Sequence, residues 1–580
     1  MTPETFLKEF GAIANAPGGV RRLREMILQL AVMGKLVAQN PEDEPASELL
    51  KRIEAEKKKR IQKKRIEKTR RTSKVQSIKP TVNLPKNWLW TKLENVFYNV
   101  SVPNSKKLLN KNINEHGSFK VVDQGKKYVA GYSNEQSKLI KIPGPVVIFG
   151  DHTKAIKFVD FDFIPGADGI KILRPVVVNE HYFYIVVKAY PIIDRGYGRH
   201  YNILINNYFP LPPLGEQNRI VAKVDQLMAL CDRLEAQQQE RATLVKHARI
   251  SALGELANAQ TGKALQASWK RVQDHLPMLF DHPDDVEDLK KCILQNAVMG
   301  KLVPQNPDDE PASELLKKIV KEKAALIKKG EIKKQKPLPE IREDEKPFKI
   351  PEGWMWCRLG TISLLITSGS RDWAKYYSDK GAKFLRMGNL SRNSFELRLD
   401  HIQHVTPPNN SEGNRTSLIA NDLLISITGD VGMLGLIPNN FGEAYINQHT
   451  AVMRFSNYFE HLFIPYFCLS PFAQDQFSAP QRGIKNSFRL TDVAEMLIPL
   501  PPIKEQLRIV NKIKELFDFC DLLKNKIKKS RTIAEQLARS VVESITGQST
   551  EKQEKMKAPK TELFPCLGWS KGPGQMSMRL

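Results

Sequence analysis

The stretch AVMGKLVAQNPEDEPASELL, Ala31–Leu50, occurs a second time with few changes as AVMGKLVPQNPDDEPASELL, Ala297–Leu316. The similarity extends outward to Leu23–Lys57 and Leu289–Lys323. Two repeats of this size differ from the many short units of a solenoid. We therefore expect an internally duplicated chain with pseudo-two-fold symmetry, which by analogy with two-fold oligomers presents paired, equivalent surfaces.

Two further blocks are repeated. LPKNWLWTKL (Leu84–Leu93) matches IPEGWMWCRL (Ile350–Leu359), and FPLPPLGEQNRIV (Phe209–Val221) matches IPLPPIKEQLRIV (Ile498–Val510). The segments between these blocks, Glu94–Tyr208 and Gly360–Leu497, show no clear similarity to each other. We call them the first and second variable segments. Each half therefore consists of the repeated blocks, which we call the frame, around a variable segment that is not repeated.

The Pro-Leu-Pro-Pro blocks lead into long helices. Apolar residues follow in steps of four and three, the spacing of a coiled-coil seam. They are Ile220, Val224, Leu227, Cys231 and Leu234 in the first copy and Ile509, Ile513, Leu516, Cys520 and Leu523 in the second. We predict two helices of about 40 residues that pack against each other antiparallel as a rigid spacer. The alternative is a pair of amphipathic helices, each packed on its own domain.

The opening block also has helical character. Leu23, Met26, Ile27 and Leu30 mark one face, and Gly34 is placed to end the helix. A loop precedes a second helix that starts near Ser47 and runs into the basic arm Lys51–Arg71. Contact with phosphates and simple solvation both remain open for this arm.

The variable segments have the composition of mixed α/β domains. Short apolar runs bounded by Gly, Pro or Asp predict strands at VVIFGD (Val146–Asp151), KFVDFDFI (Lys157–Ile164), YFYIVV (Tyr182–Val187), DLLISITGD (Asp422–Asp430) and TAVMRF (Thr450–Phe455). The predicted fold class is therefore α+β, with two mixed α/β domains separated by a pair of long antiparallel helices.

These observations divide the chain into seven regions. They are residues 1–93 (helical region with a basic arm), 94–208 (first variable segment), 209–260 (first long helix), 261–359 (repeat of 1–93), 360–497 (second variable segment), 498–548 (second long helix) and 549–580 (a tail predicted to be disordered).

Composition favours a nucleic-acid partner. The net charge is +25 and the isoelectric point is near 9.6, and such an excess attracts polyanions. A basic protein without such a partner is the alternative. No apolar run is long enough to span a membrane, and the first residues lack a secretory signal. The six cysteines are scattered without a CxxC pair, as expected of a cytoplasmic protein with reduced thiols.

Clusters of basic, amide and aromatic residues lie between the predicted strands. Arg and Lys bind guanine edges or phosphates, and Asn and Gln pair with adenine. The candidate DNA-binding residues are Lys126, Lys127, Tyr128, Arg195, Tyr197, Arg199 and His200 in the first variable segment, and Arg371, Lys375, Arg386, Asn389, Arg392, Arg482, Lys485 and Asn486 in the second. A polar turn is the alternative for each cluster.

No catalytic motif accompanies these clusters. The chain has no GxxxxGK[ST], GxSxG or HExxH sequence. Asp284, Asp285 and Asp288 are too closely spaced for a nuclease centre, and we expect them to be structural. His401 and His404 lack further ligands nearby, so no metal site is predicted. The sequence indicates a DNA-binding protein that has no recognisable catalytic motif.

Together, the duplicated LREMILQLAVMGKLVAQNPEDEPASELL block, the Trp-x-Trp blocks and the PLPP-x-x-EQ-x-RIV blocks at Pro210 and Pro499 resemble the specificity subunits of type I restriction–modification systems over roughly residues 1–548. The resemblance implies that the variable segments are target recognition domains for a bipartite, asymmetric DNA sequence. It also implies two methyltransferase subunits that use S-adenosylmethionine, and two motor-nuclease subunits that use ATP and magnesium. No cofactor is expected in this chain itself.

Two other classes of function remain possible at this stage. One is a nuclease or methyltransferase with unrecognised motifs. The other is a scaffold that binds RNA or protein. A-form RNA closes its major groove to side chains, so competition between duplex DNA and structured RNA separates the DNA reader from the RNA binder.

Overall fold

In the computed structural model, residues 10–62, 83–166, 169–190, 192, 196, 198–259, 262–408, 416–478 and 487–546 are described. The chain divides into two compact units. Unit 1 comprises Met1–Glu240 with Arg531–Leu580, and unit 2 comprises Arg241–Ser530. Each unit therefore contains one variable segment and parts of both long helices. The predicted tail at 549–580 lies outside the described residues.

Unit 1 places short strands between helices of the frame. Its helices are α1 (Gly19–Val32), α2 (Ala46–Gln62), α3 (Glu180–Ala189), α4 (Tyr201–Ile205) and the first part of α5 (Leu214–Asn258). Its strands are β1 (Leu89–Lys92), β2 (Phe97–Asn99), β3 (Phe119–Val122), β4 (Gly131–Ser133), β5 (Val146–Gly150), β6 (Ile156–Val159), β7 (Ile164–Pro165), β8 (Ile170–Pro175) and β9 (Tyr208–Leu211).

Unit 2 contains counterparts of the main elements of unit 1 together with further helices. Its helices are α6 (Gly262–Asp274), α7 (Leu276–Leu279), α8 (Val286–Val298), α9 (Ala312–Lys328), α10 (Leu359–Ile362), α11 (Phe463–Leu469), α12 (Pro471–Ser478), α13 (Leu490–Glu495) and the first part of α14 (Ile503–Thr546). Its strands are β10 (Met355–Arg358), β11 (Ser363–Ser368), β12 (Tyr377–Ser378), β13 (Ala382–Leu385), β14 (Gln403–Val405), β15 (Leu423–Ser426), β16 (Leu434–Leu436), β17 (Ala444–Ile446), β18 (Thr450–Phe455) and β19 (Leu497–Leu500).

The two variable segments share a common core of strand topology despite their unlike sequences, and the second segment adds the edge strand β12 beside β14. An antiparallel sheet has the order β2-β8-β5-β6 in unit 1 and β11-β18-β15-β16 in unit 2. A second sheet contains a parallel pair, β3 with β7 and β13 with β17, and an antiparallel neighbour, β4 or β14. The α+β class predicted from the sequence is confirmed.

Each variable segment is closed at its base by a two-stranded clamp. The Trp-x-Trp strand pairs antiparallel with the Pro-Leu-Pro strand, Trp90 opposite Pro210 and Trp356 opposite Pro499. Both repeated blocks that flank a variable segment therefore form one structural element. This pairing explains why the two blocks are duplicated together.

Most strand predictions are confirmed. Residues Val146–Gly150, Leu423–Ser426 and Thr450–Phe455 are strands, whereas the predicted run Lys157–Ile164 is divided between the strands Ile156–Val159 and Ile164–Pro165. The prediction for Tyr182–Val187 is wrong, because this run lies in helix α3. The Asn179 side chain accepts a hydrogen bond from the Tyr182 backbone N–H and so caps the helix. Burial of Tyr182, Phe183 and Val187 then outweighs their β propensity.

The long helices have 45 residues (α5) and 44 residues (α14), as expected. In unit 1, Ala538 and Val542 of α14 share a core with the first part of α5. In unit 2, Leu253 and Leu256 of α5 share a core with the first part of α14. Within each unit, the start of one helix is thus combined with the end of the other, which is an antiparallel arrangement.

The predicted seam requires a correction. Ile220, Val224, Leu227 and Cys231 are buried and Leu234 is partly buried in the core of unit 1, whereas Ile509, Ile513 and Cys520 are buried and Leu516 and Leu523 partly buried in the core of unit 2. Each set therefore contributes to the core of its own unit, as in the alternative of amphipathic helices packed on their own domains. Each lies in the core of its own half, where the helices and strands offer more apolar surface than a single partner helix.

The repeated glycine after the opening helix has a steric reason. Gly34 has φ +68°, and a Cβ there would lie 2.6 Å from Pro85 Cγ. Gly300 has φ +71°, and its Cβ would lie 2.4 Å from Pro351 Cγ. Only glycine tolerates both the left-handed backbone and this close contact. The opening block is thereby packed on the Trp-x-Trp block in both copies.

The duplicated EQ-x-R motif ties each long helix to its surroundings. Glu216 accepts hydrogen bonds from Trp88 Nε1 (2.9 Å) and Gln39 Nε2 (2.6 Å). Glu505 accepts from Trp354 Nε1 (3.0 Å) and Gln305 Nε2 (3.1 Å). The burial of both carboxyl groups raises their pKa. The motif is therefore a buried structural junction.

The other two positions of the motif complete this junction. Gln217 Nε2 donates to Pro212 O (3.0 Å), and its Oε1 accepts from the Asn179 backbone N–H (2.9 Å). Gln506 makes the same pair of contacts in unit 2, with Pro501 O and the Glu460 N–H. Arg219 binds Asp43 and Arg508 binds Asp309, both at 2.6 Å. Frame and variable segment are thus held together within each unit.

Part of the basic arm has a structural role. Lys57 Nζ donates to Glu94 O (2.7 Å) and Phe97 O (3.0 Å), and Lys323 repeats this contact with Gly360 O (2.8 Å). Burial lowers the pKa of Lys57 to about 8. This lysine supports the variable segment, while residues 63–71 of the arm lie outside the described residues.

Candidate nucleic-acid interface

Two open clefts adjoin each other in unit 2 at the ends of its sheets. The larger has a volume of about 990 Å³ and is lined by Arg386, Arg398, His401, Asn447 and Gly429, among others. The smaller, about 600 Å³, is lined by Ser370, Arg371, Asp372 and Gln448, among others. Thr428 and His449 line both clefts. Polar and cationic side chains thus converge on one face.

The strand topology explains this convergence. Arg371 follows β11, Arg386 follows β13 and Thr428 follows β15, so the carboxyl ends of three strands meet there. The residues Asn447–His449 connect β17 to β18 at the same end. Asp422, buried at the start of β15, binds Arg454 of β18 at 2.7 Å and fixes the two central strands to each other. Rigid strands therefore present loops of mixed polarity.

Apart from Asn389, the predicted residues of the second variable segment line a cleft, are exposed or lie outside the described residues. Arg371 and Arg386 line the clefts, and Lys375 is exposed with its ammonium 4.9 Å from the Tyr376 ring centroid. Arg392 is exposed and forms an ion pair with Asp430. Arg482, Lys485 and Asn486 lie outside the described residues.

The assignment of Asn389 is corrected by its contacts. Its side chain is 4% exposed, and its Oδ1 accepts from the Arg386 N–H (3.0 Å). Its Nδ2 donates to Arg398 O (2.8 Å). The oxygen and the nitrogen of the Asn389 side-chain amide are both hydrogen-bonded within the protein. Asn389 therefore shapes the loop that carries Arg386 and does not offer its amide to a base.

In the first variable segment, Lys126, Lys127 and Tyr128 lie in the loop between β3 and β4. Both lysines are exposed. The Tyr128 hydroxyl donates to Phe158 O (2.6 Å), and burial raises its pKa, so the phenol stays protonated. Tyr128 therefore anchors the loop although it is itself 50% exposed, and the two lysines face solvent.

The predicted loop before the Pro-Leu-Pro-Pro block is only partly described. Arg199 is exposed, while Arg195 and Tyr197 lie outside the described residues. The assignment of His200 is corrected, because this residue is fully buried and its Nδ1 lies 3.0 Å from Asp151 O. The Tyr201 backbone N–H also donates to Asp151 (2.8 Å). His200 and Asp151 therefore fasten α4 to the end of β5.

Comparison with known proteins gives the family of the chain. The family model for the type I restriction modification DNA specificity domain matches residues 351–530. The chain is 34% identical over 559 residues to the type I restriction enzyme EcoAI specificity subunit of Escherichia coli, with 91% of this chain and 94% of that protein covered. The chain belongs to the type I restriction enzyme specificity subunits. It is also 30% identical over 567 residues to the EcoEI specificity subunit of the same organism, with the same coverage of each chain.

A type I specificity subunit recognises DNA for a restriction–modification system, assembles with the other subunits and is not itself catalytic. Two of the three aspartates considered for a nuclease centre, Asp285 and Asp288, are structural, as expected. Asp285 and Asp288 bind Arg249 at 2.9 and 3.0 Å, and Lys290 binds Asp521 at 2.6 Å. These contacts join α8 to the long helices of this specificity subunit.

Other groups of the specificity subunit are also accounted for within the described ranges. There, no three His, Cys, Asp or Glu side chains come together as a metal site, and no helix is long and apolar enough to cross a bilayer. Five cysteines are buried free thiols: Cys231, Cys292, Cys357, Cys468 and Cys520. Burial raises the pKa of each of them, so they remain protonated packing residues.

Our sequence reasoning did not assign to DNA binding five of the polar residues that line the clefts of this specificity subunit. They are His401, Thr428, Asn447, Gln448 and His449. A signal was present in the run AYINQHTAVMRF, where three polar residues interrupt two apolar strands. Because the three polar residues Asn447–His449 include neither lysine nor arginine, a search guided by these two residue types did not select them.

Proposed function

We propose that this specificity subunit reads a bipartite, asymmetric DNA target, with one variable segment on each half-site. The observation that carries the proposal is the repetition of one strand topology with different loops on a nearly identical frame. Two domains that recognise different half-sites from the same frame require the same scaffold with different loops. The duplicated junctions at Glu216 and Glu505 hold the readers on the frame in the same way.

The exposed cations supply the electrostatic part of binding. Lys126, Lys127 and Arg199 serve the first variable segment, and Arg371 and Lys375 serve the second, together with the half-buried Arg386 that lines the larger cleft. Lysine and arginine contacts with phosphates position a protein on DNA, and contacts with base edges in the major groove give specificity. Affinity should fall steeply with salt, because each neutralised phosphate releases counterions. A flat salt response would argue against this set.

The long helices determine the spacing between the half-sites in this proposal. A helix of 45 residues at 1.5 Å per residue is about 68 Å long, which exceeds the DNA helical turn of about 34–36 Å. Shortening α5 and α14 together by whole turns should change the spacer and leave both half-sites intact. An unchanged spacer would contradict this role.

The frame also offers surfaces for partner subunits. Leu522 of α14 is 70% exposed in unit 2, and Ile533 and Leu537 of the same helix are 53% and 58% exposed in unit 1. Contiguous exposed apolar residues are typical of protein interfaces, and Ile533 and Leu537 are neighbours one helical turn apart. We assign these surfaces to two methyltransferase subunits, with two motor-nuclease subunits completing the restriction enzyme. S-adenosylmethionine, ATP and magnesium belong to those subunits in this proposal.

The decisive experiment exchanges residues 94–208 for the corresponding segment of another specificity subunit. Methylated adenines are then mapped in a genome that carries the system. One half-site should change while the other half-site and the spacer stay the same. A change in both half-sites would contradict modular reading, and turnover of DNA by the pure chain without partners would contradict the non-catalytic role.

A further inference from the structure

We infer that Gln448 recognises an adenine in the half-site read by unit 2, with His449 and Thr428 as positioning residues. The inference rests on the proposed DNA-reading function and extends it to one side chain. Gln448 is half-buried in the smaller cleft, beside the exposed Arg371. The three residues do not belong to the basic clusters that the sequence indicated.

The backbone that carries Gln448 is held tightly. Gly369 lies so close to the β17–β18 connection that a Cβ there would be 2.0 Å from Ile446 O and 2.5 Å from Asn447 O. Ser370 forms a parallel bridge with Asn447, whose Oδ1 accepts from the His449 N–H (3.1 Å). The loop is therefore preorganised, and its side chains are presented from a fixed backbone.

A short chain of hydrogen bonds orients the amide of Gln448. Gln448 Nε2 lies 3.0 Å from His449 Nε2, and His449 Nδ1 lies 3.0 Å from Thr428 Oγ1. An amide nitrogen only donates, so the imidazole Nε2 accepts and its Nδ1–H donates to the threonine hydroxyl. This arrangement fixes the neutral tautomer of His449 and the rotamer of Gln448.

The remaining groups of the Gln448 amide match one base. Its Oε1 accepts no hydrogen bond from a described residue, and one Nε2 hydrogen is left after the contact with His449. In the major groove, adenine presents the N6 donor beside the N7 acceptor, and glutamine satisfies both at once. Guanine presents two acceptors there, so one would face Oε1 without a proton. Arg371 in the same cleft is placed to contact the backbone phosphates.

The test uses the full-length chain and a randomised duplex DNA library, with bound sequences read after selection. Q448A should abolish the preference for adenine at one position of one half-site, with a loss of discrimination of about 5- to 140-fold. Q448E should shift that position toward cytosine, because a carboxylate accepts from cytosine N4. H449A should weaken the adenine preference without replacing it by another base.

The control is Q273A, which removes an exposed glutamine on α6 of the same unit and should leave the selected sequence unchanged. If the wild-type chain selects no bipartite sequence, the proposed function fails. If it selects one and Q448A selects the same sequence, only the assignment of Gln448 is overturned. Should Q448A not fold, retention of adenine by Q448E overturns the assignment equally.

Discussion

The cluster around Arg249 allows a quantitative test of how the long helices are built into each half. Arg249, near the end of α5, is buried and binds Asp285 (2.9 Å), Asp288 (3.0 Å) and Leu279 O (3.1 Å). R249L should lower the free energy of unfolding of unit 2 by about 3 kcal/mol. This value is at the lower end of the range for breaking a buried ion pair, because Asp288 is partly solvated.

Two other ion pairs give a graded comparison. Arg22 of α1 binds Glu535 of α14 at 2.5 Å, but Glu535 is 44% exposed, so R22L should cost about 1 kcal/mol in unit 1. Arg271 and Glu255 are 62% and 55% exposed, and R271L should cost at most about 0.5 kcal/mol. The predicted order therefore follows the burial of each pair.

Equilibrium urea denaturation measures the total loss, and hydrogen exchange read by mass spectrometry assigns it to a unit. R249L should accelerate exchange in α8, and R22L in α1. A cycle of R249L, D288L and the double variant should give a coupling energy of about 1 kcal/mol or more. If R249L costs no more than R271L, or loosens α1 instead of α8, the assigned packing of α5 is wrong.

Three further predictions follow from single contacts. W88F removes the indole donor to buried Glu216 and should cost about 1–3 kcal/mol, measured by calorimetry. The pKa of Lys57 in the folded state is lowered to about 8, so the folded protein favours the neutral amine. The contribution of Lys57 to stability therefore decreases as the pH falls from about 10.4, the pKa of an unperturbed lysine, to about 8. The difference in unfolding free energy between wild type and K57M should therefore grow with pH over this range, and a constant difference would contradict the lowered pKa. R199A should weaken DNA binding with an unchanged melting temperature, whereas H200A should lower the melting temperature; the opposite pattern would reverse our assignment of these neighbours.

Much of the frame could be predicted because its signals are local. The repeat of Ala31–Leu50, the 4-3 spacing in both long helices and the strand Thr450–Phe455 each depend on residues close together in sequence. The helix over Tyr182–Val187 could not be predicted in this way. Its aromatic and β-branched residues favour a strand locally, and only their burial against α1 and the clamp makes a helix more stable.

The candidate interface was harder to predict for the same reason. His200 and Asn389 have the chemistry of DNA-binding residues, yet their side chains are hydrogen-bonded inside the protein. Gln448 and His449 were not selected by a search for lysine and arginine, yet the strand order places them beside Arg371 in one cleft. Solvent exposure depends on neighbours that are distant in the chain.

The sequence alone determined the duplication, the two long helices, the family and the basic character of the chain, because these follow from similarity, periodicity and composition. The tertiary structure decided that both variable segments share one topology, that each seam lies in its own core and which polar side chains face solvent. Such features depend on contacts between residues far apart in sequence, and the free energy of burial is fixed only when those contacts form.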